Sequence, residues 1–261
     1  MMRYIVAVIG VLSLCVSGYC EIIEQNVEYT HGDVVLQGYF AYDDSSDAKR
    51  PGILVVHDWS GLQDYPKLRA RELAQLGYVA FALDMYGKDI RPKNREESAH
   101  QAGIYRADRA LMRERAKAGL AVLSEHPLVD KTRIAAIGYC FGGGVVLELA
   151  RSGAEINGVV SFHGNLDTPN PDDAKNIRTK VLVLHGAADP HVPDAQVQAF
   201  LKEMHGAEVD FQMVFYGNAV HSFSKPDAGD DPSTGVAYDK SADRRSWLAM
   251  RNFFSELFEM P

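Results

Sequence analysis

The sequence predicts an α/β fold: a mostly parallel central sheet with an antiparallel N-terminal edge and helices on both faces. From about residue 23 onward, short runs of β-branched and apolar residues alternate with longer segments of helical periodicity. Alternation of this kind is typical of parallel strands joined by crossover helices. Residues 21–261 have the length of one such domain with a full core, so a single domain is predicted.

The strands are placed by their apolar runs. An antiparallel hairpin is predicted from Val27 to Tyr42, with residues 31–33 at its turn. A final strand at residues 209–215 leads into a long loop. Between them, five strands of buried character are predicted at residues 52–57, 78–83, 133–137, 158–162 and 181–185.

The helices are placed by their boundary signals. A helix with one apolar face is predicted to begin at Asn94, which forms a capping-box pattern with Glu97, and to end at Pro127. A second helix is predicted from residue 142 or 143 to Arg151, closed by Gly153 as its C′ residue. The remaining predictions are helices at residues 194–204 and 240–258 and a mobile loop of low complexity at 227–235.

The first twenty residues have the layout of a secretory signal peptide. Arg3 precedes an apolar run at residues 4–14, and the small residues Ser17 and Gly18 follow it. A membrane anchor is the alternative, but the run is shorter than the roughly 20 residues that a spanning helix needs. We therefore expect cleavage after Gly18 or Cys20, and a secreted or periplasmic protein.

Charge and cysteine content restrict the partners. A formal net charge of −8 argues against nucleic acid and anionic membranes as partners, so a small molecule is the expected partner. The expected oligomeric state is a monomer or a small homo-oligomer. Of the three cysteines, Cys15 and Cys20 lie in the predicted signal segment, and only Cys140 certainly remains after processing. A lone thiol in an exported protein suggests a function, although unpaired cysteines are more often buried apolar residues.

Residues 133–144 combine a strand, a Gly-x-Cys-x-Gly turn and the start of a helix. A sharp strand-to-helix turn needs small residues two positions either side of its apex, and Gly138 and Gly142 provide them. The turn presents Cys140 at a helix N-terminus, whose partial positive charge favours a thiolate. The alternative is a glycine-rich connection with Cys140 as filler.

Two downstream residues favour the catalytic interpretation. Asp189 follows the buried strand at 181–185, and His221 follows the strand at 209–215. Nucleophile, acid and histidine thus stand in the order of an α/β-hydrolase triad. A metal site built from His185, Asp189 and His191 lacks a recognisable ligand motif, so no metal is predicted. His185 and His163 lie at strand ends, where they are equally suited to bracing loops, and His57 precedes the first βα loop.

The chain resembles the dienelactone hydrolase family, a cysteine-using branch of the α/β-hydrolases. Five segments carry the resemblance, and Gly138–Gly143 is the most specific; the others are His57–Leu62, Leu83–Gly87, Leu184–Asp189 and His221–Phe223. The resemblance implies the α/β-hydrolase fold. It also implies that Cys140 is the nucleophile, His221 the base and Asp189 its orienting acid, and that no cofactor is needed.

The resemblance further implies an oxyanion hole and substrate contacts. The backbone N–H groups of Phe141 and Trp59 would form the oxyanion hole, and Asp58 would contact the resting thiol. Well-known members carry glutamate in place of Asp58 and hold a substrate carboxylate with arginines. The matching positions here are Lys88 and Lys225, which lack the bidentate geometry of arginine. Tyr86 joins these as a substrate-binding residue.

The expected activity is hydrolysis of a small carboxylic ester or lactone through an acyl-cysteine intermediate. A thioesterase or acyltransferase could use the same three residues, since an acyl-cysteine also reacts with acceptors other than water. A non-catalytic binding protein on a hydrolase scaffold is the alternative from another class, because a fold does not fix a function.

Overall fold

The computed structural model describes residues 21–259, which contain one eight-stranded sheet. The strands lie in the order β1-β2-β4-β3-β5-β6-β7-β8. The pairs β1–β2 and β2–β4 are antiparallel and all others are parallel, so the predicted architecture is confirmed. The strands are β1 (Ile22–His31), β2 (Val34–Asp43), β3 (Arg50–Val56), β4 (Val79–Leu83), β5 (Val129–Tyr139), β6 (Gly158–Phe162), β7 (Lys180–Gly186) and β8 (Phe211–Tyr216).

Six α-helices within residues 21–259 cover the two faces of the sheet. Helices α1 and α6 pack on one face, where Leu73 and Met250 are buried, and the other four pack on the opposite face around Val145. Burial of both faces explains why the central strands are apolar throughout rather than alternating. The helices are α1 (Asp64–Gln75), α2 (Arg95–Ala107), α3 (Arg109–Glu125), α4 (Phe141–Arg151), α5 (Asp194–Gly206) and α6 (Lys240–Leu257).

The single helix predicted from Asn94 to Pro127 is in fact two helices. Asp108 leaves the helical conformation, and its side chain accepts a hydrogen bond from the Leu111 N–H at 2.9 Å, so it caps α3. An aspartate interrupts the helix here because its short carboxylate competes for backbone N–H groups. Ile104 belongs to the apolar face of the single predicted helix, but it is 41% exposed on α2.

Helix α1 was not predicted from the boundary signals. Its N-cap residue, Gln63, makes no side-chain capping hydrogen bond, and the helix is held instead by the burial of one face against β2 and β4. The signal-peptide prediction, with Cys15 and Cys20, lies outside the described residues. Within residues 21–259, no helix combines the length and apolar character required to cross a membrane.

Candidate active site

The turn between β5 and α4 has the tight geometry that its sequence predicts. Cys140 at its apex has φ 53° and ψ −114°, a strained conformation for a residue with a side chain. A Cβ on Gly138 would overlap the backbone of Gly142, and a Cβ on Gly142 would overlap the backbone at Val56 and His57. The two glycines therefore let the backbone turn sharply enough to present the cysteine beyond the end of the sheet.

Cys140, His221 and Asp189 form a continuous hydrogen-bonded line. His221 Nε2 lies 3.0 Å from Cys140 Sγ, and His221 Nδ1 lies 2.8 Å from Asp189 Oδ2. All three residues are buried, so water competes little for these contacts. The structure thus brings together the three residues that the sequence analysis singled out, 81 and 32 positions apart along the chain.

The loops that carry the acid and the histidine are fixed by their backbones. Asp189 Oδ1 accepts from the His191 N–H at 2.8 Å, so both carboxylate oxygens are engaged. His221 donates its N–H to Gly235 O at 3.2 Å and accepts from the Ala237 N–H at 3.1 Å. The segment predicted as a mobile loop, residues 227–235, contains the 3₁₀ turn Pro232–Thr234 and the end of another, Pro226–Ala228, and it contacts the histidine loop through Gly235.

The surroundings of His221 favour its protonated form. Burial lowers the pKa of His221, but the charge of Cys140 and the hydrogen bond to Asp189 raise it by more, to about 10. A protonated imidazole beside the sulfur stabilises a thiolate. The imidazole of His221 is therefore held in its protonated form between the sulfur of Cys140 and the carboxylate of Asp189.

A second buried histidine, His163, packs against His221. The ring of His163 packs edge-on against His221, with centroids 5.4 Å apart, and its Nε2 lies 2.8 Å from Ser224 Oγ. Burial, reinforced by the neighbouring His221, holds the pKa of His163 well below its usual range, so the ring is neutral. This contact matches the loop-bracing alternative for His163.

A cavity of about 460 Å³ opens onto the thiol. Cys140 and His221 lie in its wall, together with Trp59. The remaining wall is mostly polar: Arg95, Arg106, Asn165, Asp167, His191, Gln196, Ser222 and Val236. This volume suits a small organic ligand.

Two arginines of the cavity wall were missed in the sequence analysis. The Arg95 guanidinium lies 5.5 Å from the centroid of the Trp59 ring, and that of Arg106 lies 5.8 Å from the Phe141 ring. Arg106 also donates to the side-chain oxygen of Asn165 at 3.1 Å. Within residues 21–259, neither guanidinium is paired with a carboxylate. The two arginines are about three helical turns apart and so lie on one face of α2. This spacing is the feature of the sequence that could have indicated them.

The predicted substrate-binding lysines do not line this cavity. Lys88 forms an exposed ion pair with Glu28 of β1 at 2.6 Å. Lys225 lies 2.9 Å from Asp58 Oδ2 and so neutralises a carboxylate of the protein itself. Each ammonium group is thus paired with a carboxylate of the protein.

Asp58 and Tyr86 also differ from the expected arrangement. The Asp58 carboxylate is bonded to Ser60 and Lys225, whereas Cys140 Sγ is bonded to His221. Tyr86 is 3% exposed and is not part of the cavity wall; its hydroxyl donates to the carbonyl of Trp59 at 3.0 Å. Both side chains therefore organise the loop after β3 rather than face a ligand.

The histidines considered for a metal site have other contacts. His185 is buried and packs edge-on against Phe215 at 5.4 Å, and the His191 ring lies 5.1 Å from His221. In the described part of the chain, no three His, Cys, Asp or Glu residues are grouped so as to hold a metal ion.

Comparison with known proteins identifies clear relatives. The model of the dienelactone hydrolase family matches residues 36–258. The structure of P91, a dienelactone hydrolase-like promiscuous phosphotriesterase from metagenomic libraries, is 44% identical with a TM-score of 0.86, covering 90% of this chain and 98% of its own. An uncharacterized protein of Caenorhabditis elegans is 38% identical over 56% of this chain and 94% of its own. A probable 2-oxo-3-(5-oxofuran-2-ylidene)propanoate lactonase of Bradyrhizobium is 26% identical over 66% of this chain and 73% of its own.

Proposed function

Since the chain belongs to the dienelactone hydrolase family, we propose that it hydrolyses small carboxylic esters or lactones through an acyl-cysteine intermediate on Cys140. The observation that carries this proposal is the buried line from Cys140 Sγ through His221 to Asp189, with contacts of 3.0 and 2.8 Å. These are the distances at which a base can take a proton from a nucleophile.

In the proposed first half-reaction, the Cys140 thiolate attacks the carbonyl carbon of the ester or lactone. His221, protonated at Nε2, then donates that proton to the departing alkoxide, and a thioester remains on Cys140. In the second half-reaction, neutral His221 removes a proton from water, which attacks the thioester. The acid is released, the thiolate is restored, and His221 is again protonated.

Two backbone N–H groups are available for the oxyanion of each tetrahedral intermediate. The Phe141 N–H is the first of α4, and the first N–H groups of a helix have no partner within the helix. Among the described residues, no group accepts a hydrogen bond from the Trp59 N–H. Donors of this kind stabilise the charge that develops during attack, because they are already oriented before the reaction.

Arg95 and Arg106 are the proposed contacts for an acidic group of the substrate. Both line the cavity that holds the thiol, and neither has a carboxylate partner within residues 21–259. Asp167, the carboxylate in the same wall, is itself paired with Arg109 at 2.7 Å. An anionic ester or lactone would therefore meet positive charge at the cavity wall.

The activity is tested by comparing the mature protein with Cys140→Ala on aryl esters, small lactones and a dienelactone. A phosphotriester is included because P91 carries that activity in its name. We expect the variant to lose ester turnover, and the wild type to gain the mass of the acyl group at Cys140 during rapid-quench mass spectrometry. Lys88→Met, at an exposed ion pair outside the cavity, is the control and keeps its activity. Undiminished turnover by Cys140→Ala would exclude Cys140 as the nucleophile.

The N-terminal segment is proposed to be a signal peptide that is removed on export. Arg3 and the apolar run that follows support this assignment. N-terminal sequencing of the protein recovered from the periplasm or the medium tests it. A mature chain that begins at Tyr19 or Glu21 supports the proposal, and an intact Met1 in a membrane fraction contradicts it.

A further inference from the structure

Both peptide groups of Trp59 are held by buried side chains. The carbonyl oxygen of Asp58, in the peptide group that includes the Trp59 N–H, lies 2.6 Å from His57 Nδ1. The carbonyl oxygen of Trp59 itself accepts from the Tyr86 hydroxyl at 3.0 Å. Because a trans peptide group is planar, with its N–H opposite its C=O, holding the Asp58 carbonyl also sets the direction of the Trp59 N–H.

The direction of the first hydrogen bond follows from the contacts of the His57 ring. The Met85 N–H donates to His57 Nε2 at 3.1 Å, so that nitrogen carries no proton. Burial lowers the pKa of His57, and the ring is therefore neutral. The proton of a neutral ring must then be on Nδ1, and Nδ1–H donates to the Asp58 carbonyl. Burial raises the pKa of Tyr86, whose hydroxyl likewise keeps its proton.

The same two rings contact the residue that carries the other backbone donor. Tyr86 packs against Phe141 with centroids 5.8 Å apart, and His57 stacks on Phe141 at 6.2 Å. His57 and Tyr86 pack edge-on against each other at 4.8 Å. The three rings form one packed unit between the loop after β3 and the first turn of α4.

We propose that His57 and Tyr86 are positioning residues that aim the backbone N–H of Trp59 at the oxyanion of the tetrahedral intermediate. Neither side chain lines the cavity, so neither touches the substrate. Each acts through the peptide group that it holds. This inference rests on the proposed function, because it needs a tetrahedral intermediate formed on Cys140.

Tyr86→Phe tests the inference, since it removes one hydroxyl and keeps the packed ring. We expect kcat to fall about ten- to a hundredfold with little change in KM, because the donor matters most when charge has developed. Tyr105→Phe is the matched control: Tyr105 is buried and stacks on Tyr86 at 5.7 Å, but it makes no hydrogen bond to this loop. Its kcat stays within about twofold of wild type.

Two probes separate positioning from general damage to the site. A trifluoromethyl ketone adds reversibly to a thiol and gives a tetrahedral oxyanion, so its inhibition constant should rise with the loss in kcat. Alkylation of Cys140 by iodoacetamide forms no oxyanion, so its rate should not change. If Tyr86→Phe weakened the ketone inhibition and slowed the alkylation of Cys140 equally, its nucleophile would be damaged, and the inference would be rejected.

His57 allows a rescue test at the same peptide group. Asn at position 57 places an amide N–H where Nδ1–H stands and can still donate to the Asp58 carbonyl. In His57→Leu that carbonyl keeps only its bond from the Gly61 N–H, at 3.2 Å in the wild type. We expect kcat of His57→Asn to exceed that of His57→Leu, with alkylation rates alike. The inference would be overturned if folded His57→Asn and His57→Leu had equal kcat values. It would also be overturned if Tyr86→Phe kept the kcat and the ketone inhibition constant of the wild type. A wild-type protein whose activity does not depend on Cys140 would instead overturn the proposed function.

Discussion

Lys225 Nζ lies 2.9 Å from Oδ2 of Asp58, and the two side chains are only 21% and 6% exposed. Burial raises the pKa of Asp58, but the charge of Lys225 and the hydrogen bonds from Ser60 lower it by more, so the carboxylate stays ionised. The pair joins the loop after β3 to the loop that follows His221. We therefore expect the main role of Lys225 to be the stabilisation of these two loops.

Replacing Lys225 by Met is expected to destabilise the fold, because it leaves the Asp58 carboxylate buried without its cation. We expect a loss of about 1–3 kcal/mol in the free energy of unfolding, measured by urea denaturation, and similar losses of activity on neutral and acidic esters. In the double variant with Asp58→Asn, part of the stability should return. A selective loss on acidic esters would instead show that Lys225 binds substrate.

Arg95 and Arg106 are expected to determine the preference for acidic substrates. Replacing either by Met keeps an apolar stem against the aromatic ring beneath it and removes the charge. We expect kcat/KM for a carboxylate-bearing ester to fall about ten- to a hundredfold, with little change for its neutral methyl ester. Lys88→Met is the control, because its ammonium group lies outside the cavity. Equal losses on both esters would contradict the assignment.

The sheet and the three aligned residues were predictable because their signals are local. Gly138 and Gly142 mark the turn from the sequence alone, and Asp189 and His221 each directly follow a recognisable strand. The positive charges in the cavity wall were not predictable in this way. Which cation reaches the cavity depends on where α2 packs, and Lys88 forms its ion pair with a strand far away in sequence.

The break at Asp108 shows a related limit. The apolar pattern on either side is continuous enough to suggest one helix, and only the observed hydrogen bond to the Leu111 N–H reveals a cap. Aspartate inside a helical pattern fits an exposed helical position as well as a cap, so its residue type alone does not decide between them.

Asp189→Asn is expected to lower kcat by about 10²- to 10⁴-fold with the fold intact. An amide N–H₂ facing His221 Nδ1 favours the imidazole tautomer whose proton is on Nε2, and it removes the negative charge behind the ring. The matched control is Asp167→Asn, which removes a carboxylate from the cavity wall but leaves Cys140, His221 and Asp189 unchanged. Ester turnover measures the difference, and nearly equal rates for the two variants would contradict the role of Asp189.

The buried pairs of Arg151 with Glu148 and Glu203 are expected to dominate the electrostatic stability of the fold. The contacts are 3.0 and 2.7 Å, and all three side chains are at most 3% exposed. Arg151→Met leaves two buried carboxylates without this cation and should cost about 3–5 kcal/mol in the free energy of unfolding. Lys131→Met, which breaks an exposed pair with Glu125, should cost under about 1 kcal/mol. Similar losses in the two variants would contradict this view.

The pKa of His221 is expected to fall when Cys140 is replaced by Ala. In the wild type, burial lowers this pKa, while the charge of Cys140 and the contact with Asp189 raise it to about 10. The substitution removes the contribution of the sulfur and leaves the burial and the carboxylate in place, so the imidazolium should lose its proton at lower pH. The ring resonances of His221, followed by NMR from pH 5 to 11, measure the change, and His221→Gln assigns the signal. An unchanged pKa would mean that Asp189 alone keeps the imidazole protonated, and it would contradict the proposed thiolate–imidazolium pair.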